Sequence, residues 1–303
     1  MSQTMLMALH RILGPQGLLH GADIGERYCG DLLGNRGQMP LAVARPRSTA
    51  EVSQLLAVCN GAGVPVVTQG GRSGLVLSCL PRAGELVLST ERMNEVEAID
   101  PDGCTATVQA GVVLQALQER LEPQGLSFPL DLGGRGSCTI GGNISTNAGG
   151  NRVIRYGMTR ELVLGIEAVL ADGTVLDGLK PFLKNNTGFD LKQLFIGSEG
   201  VLGVVTRAVL RLVPRPEDRC VAFCGVAGFD GVRALLRHLR ARLGGDLTAF
   251  EVLWQAYYTR LGSLGKVQRP IEDRHAFYVL VEASGQRGEA LRGRFEQALA
   301  EAL

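Results

Sequence analysis

The sequence predicts an α+β protein built in two parts, and three observations carry this prediction. A chain of 303 residues is too long for one small domain and long enough to bury a sizeable core. Glycine occurs about twice as often as average, and most of the 41 glycines lie before residue 215. Beyond residue 216, strands and helices alternate with few glycines. We therefore place a boundary near Pro214–Pro216, which divides the chain into domains 1–215 and 216–303.

Composition argues against several classes of protein. The formal net charge is +1, with 45% hydrophobic and 20% charged residues, which is typical of a soluble globular protein and argues against disorder or a membrane span. No segment is dominated by lysine and arginine, so nucleic acid is a poor candidate partner. The start of the chain, "MSQTMLMALHRILGPQGLLHG", lacks a basic region followed by a long apolar stretch. We therefore predict no signal peptide and a cytoplasmic location.

Cysteine and histidine show no metal-binding spacing. None of the seven cysteines lies in a CxxC pair or another zinc pattern. Cys220 and Cys224 share one face of a predicted strand but lie too far apart to bridge easily, so we expect reduced, partly buried thiols. The four histidines are scattered and are expected to be structural or exposed. We predict no metal ligands in this chain.

The elements of the first part follow from periodicity, capping and turn residues. A Ser/Thr cap begins the helix "STAEVSQLLAVCNGAG", and "VLQALQERLEPQG" is an amphipathic helix closed by Pro123 and Gly125. "DLKQLF" predicts a short helix that precedes a long strand ending at Pro214. The other runs rich in strand-forming residues are "VPVVTQ", "ELVLST", "NEVEAID", "CTATVQAG" and the hairpin "ELVLGIEAVLADGTVLDG".

The second part predicts a small sheet covered by helices. Its strands are predicted at "CVAFCGVAG", "LTAFEVLW" and "HAFYVLVEAS". Its helices are predicted at "DGVRALLRHLRARLGG", around Tyr257–Leu261 and at "GEALRGRFEQALAEAL". The last helix has apolar residues at helical spacing, Leu291, Phe295, Leu299 and Leu303. Because only three strands are available to cover them, we expect an open sheet edge and exposed apolar surface.

Three glycine-rich stretches, 70–74, 133–150 and 197–203, each follow a predicted strand. Consecutive backbone N–H groups in such loops form concavities that bind anions such as phosphate. Any one of these stretches, taken alone, is explained as a tight connection between two secondary-structure elements. The segment "FPLDLGGRGSCTIGGNISTNAGGNRVIRYG", however, carries eight glycines and many short hydrogen-bonding side chains, which a turn does not need. Together the stretches suit a long ligand with a phosphate end and a flat aromatic end.

Two common nucleotide-binding fingerprints do not occur in the sequence. There is no GxxxxGK[ST] motif, and no GxGxxG opens a helix after a first strand. A Walker-type ATPase and a Rossmann dehydrogenase are therefore disfavoured.

Four motifs along the first part carry a family resemblance. They are "PVVTQGGRSGL", "PLDLGGRGSCTIGGNISTNAGGNRVIRYG", "VLGIEAVLADGTVL" and "NNTGFDLKQLFIGSEGVLGVVT". In this order they resemble the FAD-binding domain of the vanillyl-alcohol oxidase / p-cresol methylhydroxylase (PCMH-type) superfamily. Within it, the sequence is most similar to D-2-hydroxyglutarate dehydrogenase, with D-lactate dehydrogenase and the glycolate oxidase flavoprotein subunit close by. The resemblance implies a two-subdomain PCMH-type FAD-binding domain followed by a partial α+β, ferredoxin-like cap domain.

The resemblance also assigns cofactor contacts residue by residue. One loop would cradle the FAD pyrophosphate, because two phosphates need several unshielded N–H groups at once; it consists of Gln69, Gly70, Gly71, Arg72, Ser73 and Gly74. A second set would line the flavin and the phosphate–ribitol tract: Pro129, Asp131, Leu132, Gly133, Ser137, Cys138, Ile140, Gly141, Gly142, Ile144, Asn147, Ala148 and Gly149. A third set would admit the adenosine or the flavin edge: Gly200, Gly203 and Val204.

Arg72 departs from the family pattern, which commonly has Asn or another small polar residue at this position. Arg72 either adds a countercharge to the pyrophosphate or points outward. Some relatives attach FAD covalently through a histidine in this loop. Here Arg72 and Ser73 stand in its place, so the resemblance implies noncovalent FAD.

The sequence does not identify a catalytic base. Oxidation of a 2-hydroxy acid needs a hydride acceptor beside Cα, a base for the hydroxyl proton and cations for the carboxylate. In the similar dehydrogenases these groups, including a divalent metal held by histidines, come from the later cap and the C-terminal tail, which have no counterpart before Leu303. His238 and His275 match no motif, and a structural role is favoured for Arg155 and Tyr156.

Three functions are therefore considered. The first is an FAD-dependent oxidoreductase that converts a D-2-hydroxy acid of the 2-hydroxyglutarate, lactate or glycolate class to the 2-oxo acid. It would pass electrons to an external acceptor of the electron-transfer flavoprotein or quinone class. The second is an FAD-binding subunit or truncated remnant without independent catalysis, with a partner chain completing the cap. The third is a protein of the same fold with reductive chemistry, as in the cell-wall muramate dehydrogenases.

Overall fold

The structure is a computed structural model that describes residues 2–265, 268–286 and 288–302. The chain forms two compact units. The first unit comprises Met1–Phe128, Gly133–Ala148 and Met158–Pro214. The second unit comprises Pro129–Leu132, Gly149–Gly157 and Arg215–Leu303. Two short segments that flank residues 133–148 thus belong to the second unit.

The helices and strands are numbered in chain order. The helices are α1 (Gln3–Leu13), α2 (Thr49–Gly61), α3 (Leu114–Leu121), α4 (Ile140–Ser145), α5 (Val153–Tyr156), α6 (Lys192–Phe195), α7 (Phe229–Leu243), α8 (Gln255–Ser263) and α9 (Gly288–Ala300). The strands are β1 (Leu18–Leu19), β2 (Val43–Ala44), β3 (Val66–Gln69), β4 (Leu86–Ser89), β5 (Val96–Asp100), β6 (Thr105–Gln109), β7 (Leu126–Ser127), β8 (Val163–Val169), β9 (Val175–Asp177), β10 (Val204–Arg211), β11 (Val213–Pro214), β12 (Asp218–Val226), β13 (Leu247–Trp254) and β14 (Phe277–Gly285).

The first unit contains two larger sheets. One has the order β1-β2-β4-β3, in which β4 pairs in parallel with both β2 and β3. The other is antiparallel, with the order β5-β6-β10-β8-β9. Ser48 caps the N-terminus of α2, because its side chain accepts a hydrogen bond from the Glu51 N–H group. The buried faces of α2 and α1 share one core with β4. The helix predicted in "STAEVSQLLAVCNGAG" and the strand predicted in "ELVLST" are therefore confirmed.

The second unit is a three-stranded antiparallel sheet with β14 in the centre. Helices α7 and α9 bury their apolar faces against the sheet in one core. Tyr258 of α8 stacks on Tyr278 of β14 with ring centroids 3.9 Å apart. Strands β12 and β13 form the two edges, and Val221 and Trp254 on them are exposed. The three predicted strands and the open edges are therefore present.

The glycine-rich middle segment contains a helix that the sequence analysis did not predict. Thr139 caps α4, and Ile140 and Ile144, one turn apart, are both buried. Gly141 of α4 lies so close to Ala110 that a Cβ atom would come within 2.6 Å of the Ala110 Cβ atom. Close packing therefore overrides the low helix propensity of the two glycines in this helix.

Every helix in the described parts of the chain is too short or too polar to cross a membrane.

Candidate functional site

The first glycine loop, residues 70–74, begins where β3 ends at the fully buried Gln69. The Gln69 Nε2 atom donates hydrogen bonds to the carbonyl oxygens of Tyr28 and Cys79, each at 2.8 Å. The Leu32 N–H group donates to the Arg72 carbonyl oxygen at 3.0 Å. These bonds tie the start and the middle of the loop to neighbouring chain segments of the first unit.

The second glycine loop, residues 133–148 in the first unit, lies directly against the first. A Cβ atom on Gly71 would overlap the Ser137 carbonyl oxygen, and one on Gly70 would overlap the Thr139 hydroxyl. Gly74 and Gly133, in contrast, have no other atom within 4 Å of a Cβ position. Close packing therefore requires two of these glycines, whereas the other two border open space.

The backbone N–H groups of residues 70–74 donate no hydrogen bond to any other described residue. Such a run of unused donors beside open space is the arrangement that binds an anion in a glycine loop. The predicted phosphate-binding role of this loop therefore has the donors it needs.

The third glycine loop, residues 197–203, meets the end of α4. The Gly197 N–H group donates to the Ile144 carbonyl oxygen at 3.1 Å, and the Glu199 N–H group donates to that of Ser145 at 2.8 Å. A Cβ atom on Gly200 would lie 3.7 Å from the Thr68 Cβ atom on β3. Because β3 leads into the first loop, the structure brings all three glycine loops together in one unit.

Two buried side-chain atoms in this region have no hydrogen-bond partner among the described residues. They are Oε1 of Gln69 and Nδ2 of Asn143. The Asn143 amide lies near the Cys138 thiol, a weak acceptor whose pKa is raised by burial and lowered by the amide. Asn143 lies on α4 and is only 4% exposed. A buried amide without a partner is costly, so each of these atoms is suited to a polar ligand group. The sequence analysis counted Asn143 among the hydrogen-bonding side chains of this loop but did not include it in the predicted cofactor set. Its position between Gly142 and Ile144, both predicted to line the cofactor, was the available signal.

Within the second loop, some predicted site residues pack against protein rather than open space. Ile140, Gly141 and Ile144 contribute to the packing described above. Asn147 adopts a φ of 46°, and its Oδ1 atom accepts a hydrogen bond from the Arg160 N–H group at 3.0 Å. The Ala148 carbonyl oxygen accepts from Thr159. Three further predicted residues are Ser137, Cys138 and Gly142, and they lie beside the first loop.

The structure places four predicted cofactor residues in the second unit. They are Pro129, Asp131, Leu132 and Gly149. In that unit the Asn151 N–H group donates to the Asp131 carbonyl oxygen at 3.2 Å. These four residues are therefore not part of the unit that contains the three glycine loops.

Arg72 adopts a left-handed backbone conformation with a φ of 54°. Its guanidinium carbon lies 5.9 Å from the centre of the Tyr28 ring, within the range of a cation–π contact. Burial raises the pKa of the Tyr28 hydroxyl, and its hydrogen bond to Glu91 raises it further. Tyr28 thus presents a neutral ring to the Arg72 side chain.

The residues considered as a catalytic base lie in the second unit. A cavity of about 990 Å³ runs along β12 and is lined in part by His238 and His275. The His238 Nε2 atom is 2.9 Å from the Ala298 carbonyl oxygen, and the His275 ring packs on Gly225. Arg155 donates to the Ser284 carbonyl oxygen at 2.5 Å. These side chains have structural contacts, and the described residues contain no group of three or more His, Cys, Asp or Glu that could hold a metal.

Residues 40–178 match the family described as an FAD binding domain. This segment is therefore similar to an FAD binding domain. The glycine loops fit FAD in three respects: unused N–H donors in the first loop, open space at Gly74 and Gly133, and buried amides that lack partners. FAD offers the complementary groups, since its phosphates accept hydrogen bonds and its flavin ring both donates and accepts.

Most of the chain is similar to 2-hydroxy-acid dehydrogenases. It is 47% identical over 242 residues to the mitochondrial D-2-hydroxyglutarate dehydrogenase of Bos taurus, which covers 80% of this chain and 44% of that protein. It is 43% identical over 254 residues to a putative mitochondrial D-lactate dehydrogenase of Schizosaccharomyces pombe, covering 84% of this chain and 48% of that protein. The chain thus spans about half the length of these relatives.

Solved structures show the same fold. An alkyldihydroxyacetonephosphate synthase matches 100% of this chain and 59% of its own with a TM-score of 0.81 and 20% identity. p-Cresol methylhydroxylase with substrate bound matches 99% of this chain and 64% of its own with a TM-score of 0.76 and 18% identity. The predicted α+β fold and the resemblance to the PCMH-type superfamily are confirmed.

Proposed function

We propose that this chain supplies the FAD-binding part of a dehydrogenase that oxidises a D-2-hydroxy acid to the 2-oxo acid. The 47% identity to a D-2-hydroxyglutarate dehydrogenase over 80% of the chain is the observation that carries the proposal. When bound, FAD supplies the hydride acceptor for this oxidation. Substrates of the 2-hydroxyglutarate, lactate and glycolate classes are all candidates.

Each glycine loop has a separate task in this proposal. The N–H groups of residues 70–74 hold the pyrophosphate, and the open positions at Gly74 and Gly133 leave room for it. Asn143 holds a polar group of the cofactor through Nδ2, which has no other partner among the described residues. Of the third predicted set, Gly200 borders the adenosine or the flavin edge, whereas Gly203 packs against Val169 and Val204 is buried in the core of the first unit. FAD is held noncovalently, because Arg72 and Ser73 occupy the place of the attaching histidine.

The domains in this proposal are an FAD-binding domain, residues 1–215, and part of a cap domain, residues 216–303. The base, the cations that bind the substrate carboxylate and the divalent metal of the similar dehydrogenases are not assigned to residues of this chain. The second candidate is an FAD-binding subunit whose cap is completed by a partner chain.

The electron acceptor and the location are further parts of the proposal. An acceptor of the electron-transfer flavoprotein or quinone class would reoxidise the flavin. The cytoplasmic location stays a prediction from the sequence. The two relatives above are both described as mitochondrial.

The test is an absorbance spectrum of the purified protein with FAD, recorded without oxygen before and after addition of D-2-hydroxyglutarate, D-lactate or glycolate. Bleaching of the flavin band by one of them, but not by L-2-hydroxyglutarate, is expected for the dehydrogenase. A bound flavin that stays oxidised with every acid would favour the subunit, and a protein that binds no FAD would overturn both. Acid precipitation should release FAD into the supernatant if its attachment is noncovalent.

A further inference from the structure

The second glycine loop belongs to the first unit, but the segments that precede and follow it belong to the second. Residues 129–132 precede it and residues 149–157 follow it. We call these two segments the neck. Because the neck is continuous with the loop on both sides, whatever fixes the neck limits the conformations of the loop.

The two sides of the neck lie against each other. A Cβ atom on Gly150 would overlap the Asp131 carbonyl oxygen, so the chains approach as closely as backbone allows. The Asn151 N–H group donates to the Asp131 carbonyl oxygen at 3.2 Å, and Asn151 Nδ2 donates to Asp131 Oδ2 at 3.4 Å. The loop is therefore closed at its base, as in an Ω-loop whose ends meet.

The neck is also attached to the central strand of the second unit. The Arg152 Nε atom donates to Glu282 Oε1 at 3.0 Å, and Glu282 on β14 is only 5% exposed. The same carboxylate pairs with Arg219 at 2.8 Å and accepts from the Thr248 hydroxyl at 2.9 Å. A buried carboxylate that is fully paired holds its partners firmly, because breaking one contact leaves charge uncompensated.

A second attachment lies one turn further along the neck. The Arg155 Nη1 atom donates to the Ser284 carbonyl oxygen at 2.5 Å, and Ile154 packs against the core of the second unit. Arg152 and Arg155 thus bind residues 282 and 284, which lie on the same face of β14. The neck is held at two points of one strand.

We propose that Arg152 and Glu282 are positioning residues for FAD. They hold the neck so that the second glycine loop is already ordered when FAD binds. An ordered loop binds more tightly, because less conformational entropy is lost on binding. This inference deepens the proposed function and rests on it. It gives residues of the second unit a role in the affinity for FAD, which they exert by ordering the second glycine loop.

The chain offers a matched pair of variants. Arg152→Gln and Arg219→Gln each remove one guanidinium group from Glu282, but only Arg152 lies on the neck. We expect the Kd for FAD to rise about tenfold in Arg152→Gln and to change less than about twofold in Arg219→Gln. Arg152→Lys should restore part of the affinity, because its charge still pairs with Glu282. Arg155→Met should raise the Kd in the same direction by a smaller factor.

A second readout follows the loop without the cofactor. Cys138 in the second loop is 4% exposed, and burial raises the pKa of its thiol, so alkylation by iodoacetamide should be slow in the intact protein. In the FAD-free protein we expect Cys138 to be alkylated faster in Arg152→Gln than in Arg219→Gln, as measured by mass spectrometry of the peptide that contains it.

Equal effects of Arg152→Gln and Arg219→Gln on both readouts would overturn the inference, and so would no effect of either. If Arg152→Gln does not fold, Arg152→Lys and Arg155→Met provide the same comparison with Arg219→Gln. If the unmodified protein binds no FAD, the proposed function fails. The alkylation rates of Cys138 still show whether the neck orders the loop.

Discussion

The first and second glycine loops are both expected to hold FAD, yet they are fixed in different ways. The first is fixed within its own unit, because the buried Gln69 ties its start to two carbonyl groups. The second packs through α4 within the first unit and is, in addition, joined at both ends to the neck, which is bound to the sheet of the second unit. A cofactor loop can therefore be ordered by the strand that precedes it or by a sheet far along the chain.

The largest effect is expected for Gly71→Ala, which tests the contact between the two loops. The added methyl group would overlap the Ser137 carbonyl oxygen, and backbone cannot rotate away. We expect the free energy of unfolding to fall by about 3 kcal/mol, measured by urea denaturation followed by circular dichroism. Gly74→Ala is the control, because its Cβ position is open, and it should change the free energy of unfolding by less than about 0.5 kcal/mol. Similar stability of both variants would show that the loops are not in contact.

A smaller effect, on affinity rather than stability, is expected for Asn143→Leu. This change removes the unpaired Nδ2 atom and keeps the size of the side chain. The free energy of unfolding of the FAD-free protein should stay within about 1 kcal/mol. The Kd for FAD, measured by fluorescence titration, should rise about tenfold, because one hydrogen bond between uncharged groups is lost. A loss of stability with unchanged affinity would mean that the amide serves the protein alone.

The smallest effect is expected for Arg72→Asn in the first loop. Asn adopts the left-handed conformation more readily than Arg, which offsets the loss of the contact with the Tyr28 ring. We expect the free energy of unfolding to change by less than about 0.5 kcal/mol and the Kd for FAD by less than about threefold. If Arg72 instead pairs with the pyrophosphate, the Kd should rise about tenfold or more and the difference should shrink at high salt.

The sequence analysis was most successful where a local pattern decides the structure. Helix α2 and strand β3 were predicted from capping and β-forming residues, because these signals lie within a few residues of the element. Helix α4 was missed, because its stability comes from the packing of Ile140 and Gly141 against distant residues. Asn143 was left out of the predicted cofactor set for the same reason, since only the fold shows that its amide is buried and that its Nδ2 atom has no partner.

The sequence by itself determined the α+β class, the three glycine loops and the resemblance to PCMH-type flavoproteins, because ordered motifs and turn residues are local properties. Only the tertiary structure decided at which positions close packing requires glycine and which glycines border open space. It alone showed that residues 129–132 and 149–157 belong to the second unit. The pairing of Arg152 with Glu282 joins residues far apart in the chain, and no local pattern specifies which buried carboxylate a given arginine will meet.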